Sequence, residues 1–282
     1  MENIQWYPGH MTKTRRMMQA NISLVDIVIE LLDARLPYSS KNPDIDELAQ
    51  HKRRLVVLNK ADLADPSITR EWEVFYRAQG FVTMTTNAHE KKIASRLDET
   101  ARRIMQEKIQ REKQRGRQQV IIRAMVVGIP NVGKSTFINQ LAKGSPTTTG
   151  DRPGVTRGKQ WVNVKKGFDV LDTPGVLWPK FEDVVVGQRL AFTGAITDHI
   201  LDSVTLSEKL IAWLMENYPK VLATRYKVEE NLPPNEMLEA IGIARSFKIK
   251  GGAVDIERAA NTLLDEFRGG KLGRITLETV ES

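Results

Sequence analysis

One glycine-bounded segment places a lysine beside a hydroxyl in a context suited to chemistry. The segment is Gly128–Thr136, which reads GIPNVGKST and follows an apolar run, Val120–Val127, with the composition of a buried strand. Glycines let backbone N–H groups turn toward a polyphosphate, a lysine supplies positive charge to its oxygens, and a serine hydroxyl suits Mg²⁺. A helical pattern follows, so a helix N-terminus adds its dipole. The segment is therefore predicted to be a phosphate-binding loop.

The groups of this loop have distinct expected roles. Lys134 is expected to contact the β- and γ-phosphate oxygens and so to serve both binding and catalysis, while Ser135 is expected to bind Mg²⁺. The residues expected to contact the nucleotide here are Asn131, Val132, Gly133, Lys134, Ser135 and Thr136.

A second motif, NKAD at residues 59–62, follows a predicted strand and indicates which base is bound. The Asp62 carboxylate is able to accept two hydrogen bonds from the N1–H and N2–H₂ groups of guanine, a donor pair that adenine lacks. The Asn59 amide suits guanine O6 or N7, and the aliphatic part of Lys60 can lie on the base. The pattern is short, but together with a phosphate loop it favours guanine.

A third motif, DTPG at residues 172–175, also ends a predicted strand. Asp172 is a candidate Mg²⁺ ligand through water, and the Gly175 N–H is a candidate donor to a γ-phosphate. Thr156 lies in the Gly-, Thr- and Pro-rich stretch between the two phosphate motifs and is the preferred candidate to complete the Mg²⁺ shell. Three neighbouring hydroxyls remain rivals for that role: Thr147, Thr148 and Thr149.

The elements that must position these motifs alternate between strands and helices. The predicted strands are Val25–Leu32, Arg54–Leu58, Phe81–Thr86, Val120–Val127, Gln160–Val164 and Phe168–Leu171. The main predicted helices are Pro66–Gln79, Glu90–Gln119, Leu201–Tyr218, Pro234–Ile243 and Asp255–Phe267, and a loose tail is predicted from Gly269. This order predicts a three-layer α/β domain with a mostly parallel sheet over residues 1–178, including an extension at 1–13, and an all-helical domain over 179–282.

Composition limits the class of protein and suggests a polyanionic partner. The 282 residues include no cysteine, and no apolar run approaches the length of a membrane span, so we expect a soluble intracellular protein without membrane contact. Residues 1–178 carry a net charge of +10, whereas residues 179–282 carry −3. Between Arg102 and Arg123 there are eight basic and two acidic residues. This run is typical of nucleic-acid contact or of a solvated helix, and charge alone leaves both open.

The motifs together resemble a known family in an unusual order. NKAD, GIPNVGKS, PGVT and DTPG resemble the signature set of the translation-factor-like GTPases, but NKAD precedes the phosphate loop by about seventy residues. Ordinary members have the reverse order. With WYPGHM at residues 6–11, DARLP at residues 33–37 and a helical carboxyl-terminal part, the whole chain resembles the circularly permuted GTPases, in particular those of ribosome biogenesis.

This resemblance implies a specific activity and partner. It implies a monomeric, cytoplasmic, ribosome-associated protein that hydrolyses GTP to GDP with Mg²⁺ and acts in late assembly of the large ribosomal subunit. It also implies an RNA-binding helical domain, although the acidic balance of residues 179–282 makes the basic stretches Lys13–Arg16 and Arg102–Arg123 better electrostatic candidates. The alternatives are an RNA-binding module with incidental hydrolysis, a GTPase acting on another RNA, and an ATP-dependent enzyme, which NKAD disfavours.

The sequence departs from the family pattern at two places. A second base-contacting motif, usually Ser-Ala-Lys, corresponds here to the stretch Thr85–His89, whose register is open, and Thr86, Asn87 and Ala88 are the residues expected to contact the base. After DTPG stands Val176, where many GTPases carry a glutamine that orients the attacking water. Valine has no polar atom, so another group must orient that water.

Two candidates for this task come from the chain itself. The protein has four histidines, and His10 is the one whose predicted position could reach the phosphates, since the other three (His51, His89 and His199) are predicted to lie elsewhere. His10 is therefore the candidate catalytic residue, although packing or RNA contact would equally explain it. The Asn131 amide oxygen is a candidate ligand for K⁺ beside the phosphates, and capping of the next turn is the alternative.

Overall fold

Six strands form one sheet in the computed structural model, which describes residues 16–87, 89–143, 160–175, 183–196 and 202–281. The strands are β1 Ile27–Asp33, β2 Arg53–Asn59, β3 Val82–Thr85, β4 Ile122–Gly128, β5 Gln160–Lys165 and β6 Phe168–Asp172. Their order across the sheet is β3-β2-β1-β4-β6-β5, and every neighbouring pair is parallel except β5 and β6. The predicted mostly parallel α/β fold is confirmed.

The central strand explains how the motifs converge. All seven residues of β1 are buried, as expected for a strand covered by helices on both faces, and β1 lies between β2 and β4. The register places Asp33 opposite Asn59 on β2 and Leu31 opposite Gly128 on β4. Val126 lies opposite Asp172 on β6. The ends of four strands that carry predicted motifs therefore lie along one carboxyl edge of the sheet.

Helices connect these strands, and one of them differs from its prediction. They are α1 (residues 16–22), α2 Pro43–Leu48, α3 Pro66–Ala78, α4 Ile93–Ile104, α5 Gln106–Gln114 and α6 Lys134–Lys143. The prediction of a single long helix over Glu90–Gln119 is wrong, because the helix is interrupted at Met105, between α4 and α5. The apolar stripe of α4 ends at Ala101, and the only buried residue of α5 is Glu112, so the two segments do not share one packing face.

The rest of the chain forms a helical unit. The division runs between Met1–Glu182 with Glu278–Ser282 on one side and Asp183–Leu277 on the other. The helices of the second unit are α7 Val184–Phe192, α8 Ser203–Asn217, α9 Val221–Tyr226, α10 Pro234–Ala244 and α11 Ile256–Arg268. In the described parts of the chain, no helix is long and apolar enough to span a membrane.

Polar contacts hold this unit together in addition to its apolar core. Asp183, Asp202 and Asp255 cap the amino ends of α7, α8 and α11. The Arg268 guanidinium donates from Nε to the Phe192 carbonyl at 3.0 Å, satisfying a group at the carboxyl end of α7. These caps fix helix ends that apolar packing alone would leave free to fray.

The carboxyl-terminal segment returns to the first unit instead of forming the loose tail predicted from Gly269. Glu278 is buried, and its carboxylate accepts hydrogen bonds from the backbone N–H groups of Tyr38 (2.7 Å) and Ser39 (3.1 Å). The Trp72 indole donates to the Glu278 carbonyl at 3.1 Å, and Val280 packs on the same aromatic cluster. The tail prediction was wrong because these partners are more than 200 residues away in sequence.

This segment yields a stability prediction. Glu278→Gln replaces a charged acceptor by an amide whose NH₂ group faces backbone donors, so the free energy of unfolding should fall by about 1–3 kcal/mol. Urea denaturation followed by circular dichroism measures it. The exposed Glu281→Gln is the matched control and should change the free energy little. Equal stabilities of the two variants would contradict a structural role for the Glu278 carboxylate.

Candidate functional site

The base-reading motif and the phosphate loop are joined by a direct hydrogen bond. The Asn59 amide donates from Nδ2 to the Val132 carbonyl at 2.8 Å. A Cβ atom at Gly133 would lie 2.5 Å from the same nitrogen, and Gly133 has a φ of +92°. Only glycine fits both the conformation and the space, so this contact explains why the second glycine of the loop is needed.

Lys60 makes a second connection across the same edge. Its ammonium group donates to the Asn131 carbonyl at 2.6 Å and to the Asp33 carboxylate at 2.9 Å. Lys60 and Asn131 both have positive φ, at 59° and 58°. The Ala61 N–H donates to the Thr86 carbonyl at 3.1 Å, which joins this motif to the end of β3. The loop after β2 is thus fixed on both sides.

Asp62 lies at the turn that follows these contacts. The Leu63 N–H donates to the Lys60 carbonyl at 2.9 Å and closes the turn around Asp62, which is half-buried. In the described part of the chain, no group pairs with the Asp62 carboxylate, so both oxygens are available as acceptors. This is the arrangement that reading of guanine requires.

Two residues of the second predicted base-contacting motif form hydrogen bonds within the protein. Thr86 is buried, its N–H donates to the Leu58 carbonyl at 2.9 Å, and its hydroxyl donates to Glu90 at 3.0 Å. The Asn87 side chain accepts from the His89 N–H at 2.8 Å and shapes the following turn. Ala88 lies outside the described residues. The assignment of these three residues to the base stays a prediction.

The phosphate side brings Lys134 and Asp172 together. Lys134 is the first residue of α6, and its Nζ lies 3.4 Å from the Asp172 carboxylate and donates to the Thr173 carbonyl. The Thr173 hydroxyl donates to the Val126 carbonyl at 2.6 Å, which anchors the DTPG segment to β4. Ammonium and carboxylate therefore face the same space at the carboxyl edge of the sheet.

The two phosphate motifs approach closely. A Cβ atom at Gly175 would lie 3.1 Å from the backbone of Pro130, so a glycine at this position lets the DTPG segment pack against the phosphate loop. Ser135 and Thr136 are exposed in the first turn of α6, with their backbone at its amino end. Backbone N–H groups there suit an anion.

The oxygen ligands at this site fit Mg²⁺. Among the described residues, no group of three or more His, Cys, Asp or Glu side chains is arranged to hold a metal ion. Mg²⁺ is ordinarily held by one or two protein oxygens together with phosphates and water, and Ser135 and Asp172 supply such oxygens. With a nucleotide, the ion would neutralise charge that develops on the phosphate oxygens.

Several predicted residues fall outside the described parts of the chain. They are His10, Ala88, Thr147, Thr148, Thr149, Thr156, Val176 and His199. Of the remaining histidines, His51 precedes the amino end of β2, opposite the carboxyl edge, and His89 follows β3 near the base motif. These positions agree with the prediction that neither histidine reaches the phosphates.

Asp33 and Arg35 form a buried pair at this edge for which no role was predicted. The Arg35 guanidinium contacts the Asp33 carboxylate at 2.8 and 2.9 Å, and the same carboxylate holds Lys60. A signal was present, because an acidic residue directly follows the predicted strand that precedes the NKAD strand along the chain. The neighbour relation of those strands was not known from the sequence.

Comparison with known proteins agrees with this geometry. Residues 123–232 match the family described as 50S ribosome-binding GTPase, while NKAD lies before that match, as a permuted order requires. A GDP-bound structure of TM YlqF is 27% identical, with a TM-score of 0.67, covering 95% of this chain and 100% of that one. A GNP-bound YlqF from T. maritima is 28% identical, with a TM-score of 0.65 and coverages of 95% and 98%.

A relative in Bacillus cereus decides the family. Its ribosome biogenesis GTPase A is 46% identical over 280 residues, which cover 99% of this chain and 94% of that protein. The predicted resemblance to the permuted GTPases is thereby confirmed, and with it GTP as the substrate. This chain is a GTPase and belongs to the ribosome biogenesis GTPase A family.

Proposed function

We propose that this GTPase binds a precursor of the large ribosomal subunit in a nucleotide-dependent way and acts in its late assembly. In this proposal the protein is a cytoplasmic monomer, and its helical unit, predicted over residues 179–282, contacts RNA. The observation that carries the proposal is the hydrogen bond that joins Asn59 of the NKAD motif to Val132 of the phosphate loop. The family description, which names 50S ribosome binding, supports the choice of particle.

A basic surface on α4 and α5 supports contact with RNA. Part of the positive charge of this region is neutralised, because Arg115 and Arg117 pair with Glu112. Within the described chain, Arg103, Arg111 and Lys113 are exposed and lack an acidic partner. Unpaired, exposed cations on adjacent helices suit the phosphates of an RNA helix.

The proposed hydrolysis uses the residues at the phosphate edge. Lys134 stabilises charge on the β- and γ-phosphates, Ser135 and Asp172 hold Mg²⁺, and the Gly175 N–H bonds the γ-phosphate. Thr156 remains the proposed additional Mg²⁺ ligand. Val176 is unable to orient water, so this task falls to His10, to K⁺ bound with the help of Asn131, or to the ribosomal particle.

A switch follows from the order of the chain. The DTPG segment at residues 172–175 is followed within a few residues by the helical unit, which begins at Asp183. Contact of Gly175 with a γ-phosphate would therefore act on the chain that enters that unit. The protein is thus proposed to bind the particle with different affinities in its GTP-bound and GDP-bound states.

The guanine assignment predicts an altered base preference. Asp62→Asn removes the acceptor pair for N1–H and N2–H₂, so GTP affinity should fall and xanthosine triphosphate affinity should rise. Unpaired polar groups at a built site change discrimination by roughly 10⁴-fold. Equilibrium binding of both nucleotides measures the ratio, with the exposed Glu71→Gln as control. An unaltered preference for GTP would refute the assignment.

The particle assignment predicts nucleotide-dependent sedimentation. With a GTP analogue, the protein should pellet with large-subunit precursors more than with GDP or without nucleotide. Arg111→Glu should weaken this binding several-fold and reduce its salt dependence, because one phosphate contact is lost. The exposed Arg70→Glu on α3 carries the same charge change and should bind normally. Binding that does not depend on the nucleotide would contradict the proposal. Turnover that the particle does not stimulate would favour the alternative of an RNA-binding module with incidental hydrolysis.

The His10 assignment predicts a selective loss of turnover. His10→Ala should retain nucleotide affinity and particle binding but lose particle-stimulated GTP hydrolysis, because water is no longer oriented. His51→Ala, at the opposite end of β2, is the control and should be stimulated normally. Rates are compared in K⁺ and in Na⁺. Full stimulation of His10→Ala would exclude this residue, and a requirement for K⁺ would then assign the task to the cation.

A further inference from the structure

We infer that Asp33 is a positioning residue for the nucleotide: its carboxylate holds Lys60 against the phosphate loop and so fixes the base-reading motif. The inference rests on the proposed guanine site at Asn59–Asp62 and adds a residue that lies outside the common GTP-binding motifs. Asp33 ends β1, directly opposite Asn59 on β2, at the edge where the nucleotide is proposed to bind.

The Asp33 carboxylate is fully engaged. Its Oδ1 accepts from the Arg35 backbone N–H at 3.1 Å and from Arg35 Nε at 2.9 Å. Its Oδ2 accepts from Arg35 Nη2 at 2.8 Å and from Lys60 Nζ at 2.9 Å. The residue is 2% exposed, and its own N–H donates to the Ser40 hydroxyl at 3.0 Å. Backbone and side chain are both fixed, so the position offered to Lys60 is rigid.

The charge balance keeps this carboxylate ionised. Burial alone would raise the pKa of Asp33, but the Arg35 guanidinium and the Lys60 ammonium outweigh it and hold the pKa well below its ordinary value. Both cations contact this carboxylate, and the Lys60 ammonium also lies 2.6 Å from the Asn131 carbonyl.

The backbone of Lys60 needs such support. Its φ of +59° lies in the left-handed region that residues with a Cβ rarely adopt, and Asn131 in the phosphate loop has the same conformation. One ammonium group contacts both Asp33 and the Asn131 carbonyl. Removal of the Asp33 charge would therefore loosen the strained position of Lys60 in the base motif and its contact with the phosphate loop.

Another buried acid on the same strand provides a comparison for a purely structural role. Glu30 on β1 is 1% exposed and pairs with Arg54 on β2, away from the carboxyl edge. Loss of the Glu30 charge should affect folding but not nucleotide binding. Glu30 is thus a matched control for burial, strand and charge.

The experiment compares GDP affinity and steady-state hydrolysis across these variants. Asp33→Asn should raise the Kd for GDP about tenfold, and the KM for GTP in parallel with little change in kcat, because a charged hydrogen bond to Lys60 is lost. Asp33→Asn combined with Lys60→Gln should bind no more weakly than Lys60→Gln alone. Glu30→Gln should retain the original Kd. Additive losses in the double variant, or a normal Kd in Asp33→Asn, would overturn the inference.

Two further comparisons keep the outcome decisive. If Asp33→Asn does not fold because the Arg35 guanidinium loses its contacts with the carboxylate, Asp33→Asn with Arg35→Gln removes both charges and should show the raised Kd relative to Arg35→Gln alone. An equal Kd in those two would overturn the inference. Asp62→Asn separates the two levels: if it alters base preference while the Asp33 variants bind normally, only the role of Asp33 fails.

Discussion

The hydrogen bond from the Asn59 amide to the Val132 carbonyl is the contact on which the site depends. It joins two motifs that are 73 residues apart and that stand in the reverse of the usual order. They meet because β1 lies between β2 and β4, so both motifs emerge at the same edge of the sheet. A nucleotide site of this kind depends on the order of strands in space, and the order of motifs along the chain is free to change.

The parts of the fold that the sequence predicted are those set by local patterns. The strand and glycine loop before Lys134, and the strand before Asn59, carry their information within about fifteen residues, and the structure contains both. The break at Met105 was not predicted, because helical propensity is continuous there and only packing distinguishes α4 from α5. The role of Asp33 required knowledge of which strand lies beside β1.

The charge pattern shows the same division between local and distant information. Counting residues identified a basic run, but Glu112, which is 8% exposed, pairs with two of its arginines in space and offsets one of their two charges. Lys108 pairs with Asp26, which is 82 residues away in sequence. The basic surface left for contact with a polyanion is therefore smaller than the composition suggested. Its residues can be identified only from the ion pairs in the structure.

The return of Glu278 to the nucleotide-binding unit makes that unit discontinuous in sequence. The helical unit, Asp183–Leu277, is in topological terms an insertion between two parts of one domain. During synthesis, the acceptors for Tyr38, Ser39 and Trp72 do not exist until the entire insertion has been translated. The nucleotide-binding unit is therefore completed after the helical unit is made, although most of its residues leave the ribosome first.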